Sequence, residues 1–271
     1  MSENLFSVKD KVVVVTGGLG QLGRQFVVSL NKRGAKVAVF DAVARGEDMK
    51  RVESQCDKEN LLFATVDVTR KDSILEGLSK VVEKWGPPHG LINNAALDSP
   101  PNSPAEENGP FETYPEDSWD KVMRVNVKGV FLCCQAAGGL MAEAGRGSIV
   151  NICSIYGLVS PDQRIYKYRE SGGGRFFKPV AYSVSKSSLL NMTRYLATYW
   201  AESNVRVNTV TFGGVFNNQD EKFLEGYRER VPLGRMANED EYNGAIIFLL
   251  SEASSYMTGS NLVINGGWTA W

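Results

Sequence analysis

Lys11-Val-Val-Val-Val-Thr16 runs straight into Gly17-Gly18-Leu19-Gly20-Gln21-Leu22-Gly23, and this stretch decides the fold. Consecutive valines make a short apolar run that suits a parallel strand buried on both faces. The glycines that follow let the backbone approach a pyrophosphate closely, and the N-terminus of the next helix favours that anion. Gln25, Phe26, Val27 and Leu30 continue that helix. Asp41 ends the next apolar run, 18 residues beyond Gly23, where a carboxylate can accept hydrogen bonds from an adenosine ribose. The same charge repels a 2′-phosphate, so NAD is expected over NADP, although Arg45 lies near enough to weaken the preference. A glycine-rich turn with a stray aspartate would be unremarkable alone. Strand, glycines, helix and acid in this order favour the dinucleotide reading.

Working outward, the same alternation repeats along the chain. Lys36 to Asp41, Leu61 to Asp67, Leu91 to Ala95, Ser148 to Cys153, Val205 to Thr211 and Asn261 to Asn265 read as six further strands. Ile74, Leu78, Val81 and Val82 recur at helical spacing, and a long helix fills the interval from about Glu116 to Met141. No solenoid repeat, low-complexity tract or linker divides the chain. The expected fold is therefore α/β: one Rossmann domain over 1–271, a doubly wound seven-stranded parallel sheet with helices on both faces. In such sheets ligands bind outside the carboxyl ends of the strands.

Composition narrows the functions. Thirty basic residues against thirty-one acidic ones give a net charge of −1, so no overall field favours nucleic acid. No apolar run reads as long enough to span a bilayer and the N-terminus has no signal-like apolar core, which sets the expectation of a cytoplasmic protein without a membrane partner. Cys56, Cys133, Cys134 and Cys153 show no metal spacing and no disulfide framework. With His89 as the one histidine, a histidine triad or a multi-histidine metal site is implausible.

Tyr182 and Lys186 stand four residues apart in YSVSK, so on a helix they share a face. A free phenol has a pKa of about 10. A fixed cation near 4 Å at an effective dielectric near 20 favours the phenolate by up to about 4 kcal/mol. Such a tyrosine can serve as a general acid or base near neutral pH. Tyrosine and lysine fall at this spacing on many helices, so the pair gains weight only beside the glycine loop. Met192, Tyr195, Leu196, Tyr199 and Trp200 follow at helical spacing and read as core or subunit contact.

Together these residues resemble the short-chain dehydrogenases/reductases. The resemblance runs from Lys11 to about Trp268 and rests on TGGLGQLG, Asp67-Val68, Asn93-Asn94-Ala95-Ala96, Asn126 in RVNVKG, Ser154, Tyr182-x-x-x-Lys186 and Asn265-Gly266-Gly267. It implies an alcohol–ketone oxidoreductase in which Tyr182 exchanges a proton with the substrate oxygen and Ser154 holds that oxygen. Lys186 would bind the nicotinamide ribose and depress the tyrosine pKa, and Asn126 would hold a water linking Lys186 to solvent. Gly17, Gly20, Gln21, Leu22 and Gly23 would cradle the pyrophosphate. Asp67 and Val68 would lie against the adenine, Asn94 and Ala95 against the ribose, and Val215 near the carboxamide. Relatives imply a homodimer or homotetramer, and Trp268 and Trp271 suit an interface. Structural alternatives stand beside these roles: Asn126 could satisfy a helix kink, Ser154 could cap a strand end, and Asp67 could be a helix N-cap.

Several positions depart from the family pattern. The glycines at 17, 20 and 23 are spaced as in its epimerase and dehydratase members, so transient oxidation is a rival reaction. A dinucleotide-binding sensor without turnover is a second rival. Ala96 and Phe212-Gly213 replace a usual glycine and Pro-Gly. Ser154 and Tyr182 are separated by an insertion, near 160–179, that must loop out at the site. It carries Arg164, Lys167, Arg169, Arg175 and Lys178 against Asp162 and Glu170. Arg164, Arg175 and Lys178 are candidates to bind an anionic substrate; a solvated loop is the alternative. A loop near 97–118 would form the opposite wall and 216–230 a lid. The phrases SIYGLVSPDQRIY, FFKPVAYSVSKS and YMTGSNLVINGGWTAW resemble the flagellin-modification protein A type of sugar oxidoreductase, which implies an anionic sugar of bacterial surface-glycan (nonulosonic acid) synthesis.

Overall fold

The computed structural model describes residues 4–43, 46–98, 105–169 and 175–271; Arg45 and Glu170 lie outside the described residues. Seven strands form one sheet: β1 (Val12–Thr16), β2 (Lys36–Asp41), β3 (Leu61–Thr65), β4 (Gly90–Asn93), β5 (Gly147–Ser154), β6 (Val205–Phe212) and β7 (Asn261–Ile264). Their order is β3-β2-β1-β4-β5-β6-β7 and every pairing is parallel. The expected fold holds, with strand ends shifted by one or two residues. The order reverses at β1, whose neighbours are β2 and β4, so the crevice beyond their carboxyl ends is where a dinucleotide fits.

Helices cover both faces: α1 (Gln21–Asn31), α2 (Gly46–Glu53), α3 (Lys71–Trp85), α4 (Glu116–Met123), α5 (Val130–Glu143), α6 (Val180–Tyr199), α7 (Glu221–Arg228) and α8 (Asn243–Leu250). The valines of β1 show why one run serves two layers. Val13 and Val15 pack with Phe26, Leu30, Tyr242 and Ile246 on the α1–α8 face. Val12 and Val14 pack with Ile74, Leu78, Met141 and Leu189 on the α3–α5–α6 face. Burying such a side chain contributes about 1.5–3 kcal/mol. Arg124–Gly129 is a π-turn that joins α4 to α5. The resulting helix, Glu116–Glu143, is long and apolar enough by composition to cross a membrane, contrary to the sequence expectation. Its apolar stripe, including Leu132, Cys133, Cys134, Ala137 and Met141, is instead buried in the α3–α5–α6 core.

A third core lies beyond the strand ends. Ile155, Tyr156, Ile165, Tyr166, Leu224, Tyr227, Val231, Met236 and Trp268 form it, with Phe176, Tyr182 and Phe223 at its margin. In its described residues the insertion is thus a packed annex and not a loop thrown out into solvent. The Tyr166 ring packs at a tilt against Phe176 and Phe223, and Asp162 accepts from Arg230 at 2.6 Å. Its apolar residues outweigh its charges in fixing it. Trp268 is only 8 % exposed, with its ring 4.8 Å from Tyr227, so this chain itself covers a residue expected at an interface. Trp271 is 81 % exposed.

Candidate active site

The glycine loop is shaped by close approach. Gly17 has φ +60°, and a Cβ there would stand 2.9 Å from Ala95 Cα. A Cβ on Gly23 would stand 2.1 Å from the Gly17 carbonyl oxygen. Gly20 differs: its Cβ would meet only Gly17 O, at 3.3 Å, so the chain's own packing does not demand glycine there. No side chain caps the N-terminus of α1, although Gly20 occupies the cap position. That leaves the backbone N–H groups of the first turn directed outward, which fits a bound pyrophosphate.

The acids around this loop are partly structural. Asp41 Oδ2 accepts from Leu19 N at 3.1 Å and Oδ1 from Val43 N at 3.2 Å, which fixes its carboxylate at the rim of the crevice. Asp67 Oδ1 accepts from Thr69 N and Oγ1 at 2.9 and 2.7 Å. It organises the turn before α3, whose N-cap position falls to Arg70. Asn94 Nδ2 donates to Thr16 O and Gly17 O at 3.1 and 3.0 Å. Its amide hydrogens brace the glycine loop from beneath. Ala95 N donates to Thr16 Oγ1 at 3.1 Å. Val68 packs against Gly129 in the π-turn, where a Cβ would meet its Cγ2 at 2.9 Å. Gln21 Nε2 donates to Phe216 O at 2.8 Å and so ties α1 to the segment after β6. Val215 in that segment bridges to Ala237, and its carbonyl accepts from Gln219 at 2.9 Å.

Ser154 and Tyr182 converge despite the insertion between them. Ser154 ends β5, accepts from Tyr156 N at 3.2 Å as the cap of a short 3₁₀ turn, and lies close enough to the Tyr182 phenol to favour its ionised form. Lys186 follows one turn along α6. It is 5 % exposed, and its Nζ donates to Ile152 O at 2.8 Å. The ammonium lies 5.9 Å from the Tyr182 ring centroid. The expectation of a depressed tyrosine pKa is not met by the protein alone. Burial pushes the phenol well above its ordinary value and Asp98 adds to the rise, while the nearby Ser154 hydroxyl opposes it. Burial likewise lowers the Lys186 pKa, so the cation pays the same desolvation as the group it was expected to stabilise.

Asn126 is 1 % exposed in the π-turn. Its Oδ1 accepts from Leu97 N at 2.7 Å, and its Nδ2 donates to Leu97 O at 2.9 Å and Ser185 Oγ at 3.0 Å. Both amide hydrogens are therefore engaged, and the side chain pins the loop after β4 to α6. This bracing is not the satisfied helix kink considered from sequence.

Two of the insertion's cations, Arg164 and Lys178, stand in ion pairs. Arg164 donates from Nε and Nη2 to Asp162, each at 2.9 Å, and is 74 % exposed, so it is no unpaired anion receptor. Arg175 is exposed. Lys178 pairs with Asp98 and stands over the Tyr182 ring, 4.8 Å from its centroid. This pair also shows that the loops after β4 and β5 adjoin instead of facing each other; Phe177 N donates to Asn108 O at 2.9 Å beside it. Sequence reading missed Asp98. Its only signal was an acid four residues beyond Asn94.

The comparisons agree with this geometry. A family model described as enoyl-(acyl carrier protein) reductase matches residues 20–269. The NAD-dependent glycerol dehydrogenase of Listeria innocua is 31% identical over 97% of this chain and 96% of its own length. The gluconate 5-dehydrogenase of Gluconobacter oxydans is 30% identical over 98% and 97%. A crystal structure of a short chain dehydrogenase from Leptospira borgpetersenii with bound NAD+ superposes with a TM-score of 0.84 at 32% identity, covering 99% of this chain and 97% of that one. With the seven-stranded parallel sheet and the glycine loop, these likenesses identify a pyridine nucleotide-dependent oxidoreductase of alcohol groups: the chain belongs to the short-chain dehydrogenase/reductase family.

Proposed function

We propose that this protein interconverts a secondary alcohol and a ketone on a polyol or sugar, with Tyr182 exchanging the proton at the reacting oxygen. One observation carries the reading: Ser154 and Tyr182, 28 residues apart in sequence, are brought close enough for the serine hydroxyl to act on the phenol, beside the buried Lys186. NAD(P), when bound, supplies hydride chemistry at the nicotinamide. The chain's part is to hold the substrate oxygen between Ser154 and Tyr182 and to move its proton. Lys186, kept dry and fixed on Ile152 O, supplies positive charge on the same side. Asp41 at the end of β2 favours NAD, because its carboxylate repels a 2′-phosphate.

Support for a polyhydroxylated substrate comes from relatives named for glycerol, D-threitol and gluconate. The narrower likeness to flagellin-modification oxidoreductases would make the substrate an anionic sugar of surface-glycan synthesis. The pairing of Arg164 with Asp162 and of Lys178 with Asp98 favours an uncharged one. Tyr182→Phe tests the central assignment: turnover should fall by at least about a thousandfold, within the range that general acid–base catalysis supplies. Dinucleotide affinity should stay within a few-fold. Undiminished turnover would refute the role.

We also infer self-association through α5 and α6. Phe131 and Val184 are exposed there, and Tyr195 and Tyr199 stack in parallel on the surface at 6.2 Å. Light scattering at micromolar concentration should find a dimer or tetramer; a monomer would overturn this inference.

A further inference from the structure

Two charged side chains reach Tyr182 from separate loops. Lys178, two residues before α6, is 10 % exposed, and its ammonium stands 4.8 Å from the Tyr182 ring centroid. Asp98, in the loop after β4, accepts from that ammonium and is 54 % exposed. Both arrive on braced backbone. Lys178 N donates to Gln163 Oε1 at 2.9 Å, and Leu97, beside Asp98, is held in both directions by Asn126. The pair is thus a fixed feature of the wall nearest the phenol.

Its chemistry discriminates among substrates. An acid group on the substrate would have to draw Lys178 away from Asp98, and it would leave two negative charges close together. A hydroxyl can donate to the carboxylate and accept from the ammonium with the pair intact. A carboxylate accommodates about four donors and an ammonium brings three, so one mutual bond exhausts neither. The other ion pairs of the annex follow the same pattern, since Asp162 answers both Arg164 and Arg230.

We propose that Asp98 and Lys178 form a specificity pair that holds a substrate hydroxyl beside the Tyr182 ring and selects against substrates that carry a carboxylate. This rests on the reading of Tyr182 as the proton-exchanging group. A supporting consequence concerns pH. Tyr182 is faced by Ser154, Cys153 and Tyr156 from β5 and the turn after it, by Lys186 on its own helix, and by Lys178 and Asp98 from the loops. Asp98 is the carboxylate among them and raises the phenol pKa, so its removal should shift the pH profile of alcohol oxidation to lower pH.

The test compares Asp98→Asn, Lys178→Met and the conservative Lys178→Arg with the wild type. Steady-state kcat/KM is measured with NAD on glycerol and threitol and on gluconate, with NAD affinity and thermal melting as controls for folding. The wild type should prefer the uncharged polyols. Asp98→Asn should lower kcat/KM for polyols by about tenfold, the value of one lost hydrogen bond, while gluconate is unchanged or improved. Lys178→Met should lower polyol activity similarly, and Lys178→Arg should restore part of it. Equal changes for both substrate classes, a wild type that prefers gluconate, or turnover of neither class would overturn the proposal. Tyr182→Phe is run alongside. If it keeps its turnover, the underlying site reading fails; if it loses turnover while Asp98→Asn leaves the polyol-to-gluconate ratio unmoved, only the specificity pair fails.

Discussion

Replacing Asn126 with alanine separates two accounts of that residue. The side chain is 1 % exposed and makes three hydrogen bonds, two of them to the backbone of Leu97. Ser185 keeps a partner without it, because its hydroxyl also donates to Tyr182 O at 2.8 Å. The cost therefore falls on Leu97, whose N–H and C=O both lose their bonds. Leaving a buried group unpaired costs about 1–3 kcal/mol, and Leu97 is only partly buried, so the lower half of that range applies to each. The variant should lose about 2–4 kcal/mol of stability, read by urea unfolding with linear extrapolation. Release of Leu97 also frees Asp98 beside it, so kcat/KM should fall. If Asn126 served chiefly as a water holder in a proton path, stability would hardly change while the solvent isotope effect on kcat rose. A loss below about 1 kcal/mol, the size of one ordinary net hydrogen bond, together with a sharp fall in kcat would refute the bracing argument.

Further outcomes follow from the same geometry. Gly23→Ala should destabilise the fold by about 1–3 kcal/mol through overpacking, because its Cβ would stand 2.1 Å from Gly17 O; unchanged melting would contradict the loop's shape. Gly20→Ala should melt like the wild type yet bind NAD more weakly, as calorimetry would report, if the dinucleotide approaches that backbone. His89 Nδ1 accepts from Val12 N at 3.1 Å, and burial, with Arg146, Lys11 and Lys36 nearby, lowers its pKa below 6.5. Its stabilising contribution is therefore complete above about pH 6.5, the unfolded value, and is lost as pH falls through the lower folded value. The imidazole resonances of this one histidine should titrate below 6.5, and a normal value would be a refutation. Burial raises the thiols of Cys133 and Cys153, takes Cys134 to about 12 and takes Cys56 to about 11. In native protein at pH 8 Cys133, Cys134 and Cys153 should resist an aromatic disulfide reagent that reacts with all four thiols in urea; rapid labelling of those three in the folded protein would contradict their burial.

The sheet was legible because its signal is local. Valine runs and glycine turns carry their geometry within a few residues, and β2 falls where the sequence reading put it. The convergence of Ser154 with Tyr182 was legible only through a family pattern. Asp98 was not legible, since its meaning depends on a lysine 80 residues away. The misjudged pKa of Tyr182 has a related cause. Spacing places a cation on the same helix face, but only the fold reveals how thoroughly the phenol is removed from water. In the insertion, five cations drew attention, while Ile165, Tyr166 and Phe176, which build its core, read as ordinary loop residues.

The annex has a consequence for how this enzyme can diversify. Tyr182 is anchored on the sheet by α6, yet one flank of its ring belongs to an aromatic cluster built from the insertion and the segment after β6. Substitutions in that outer cluster can reshape the surroundings of the reacting oxygen while the dinucleotide crevice, at the sheet's reversal point, keeps its form. A change of substrate can thus arise by remodelling an outcrop, leaving the foundation that binds the redox partner undisturbed.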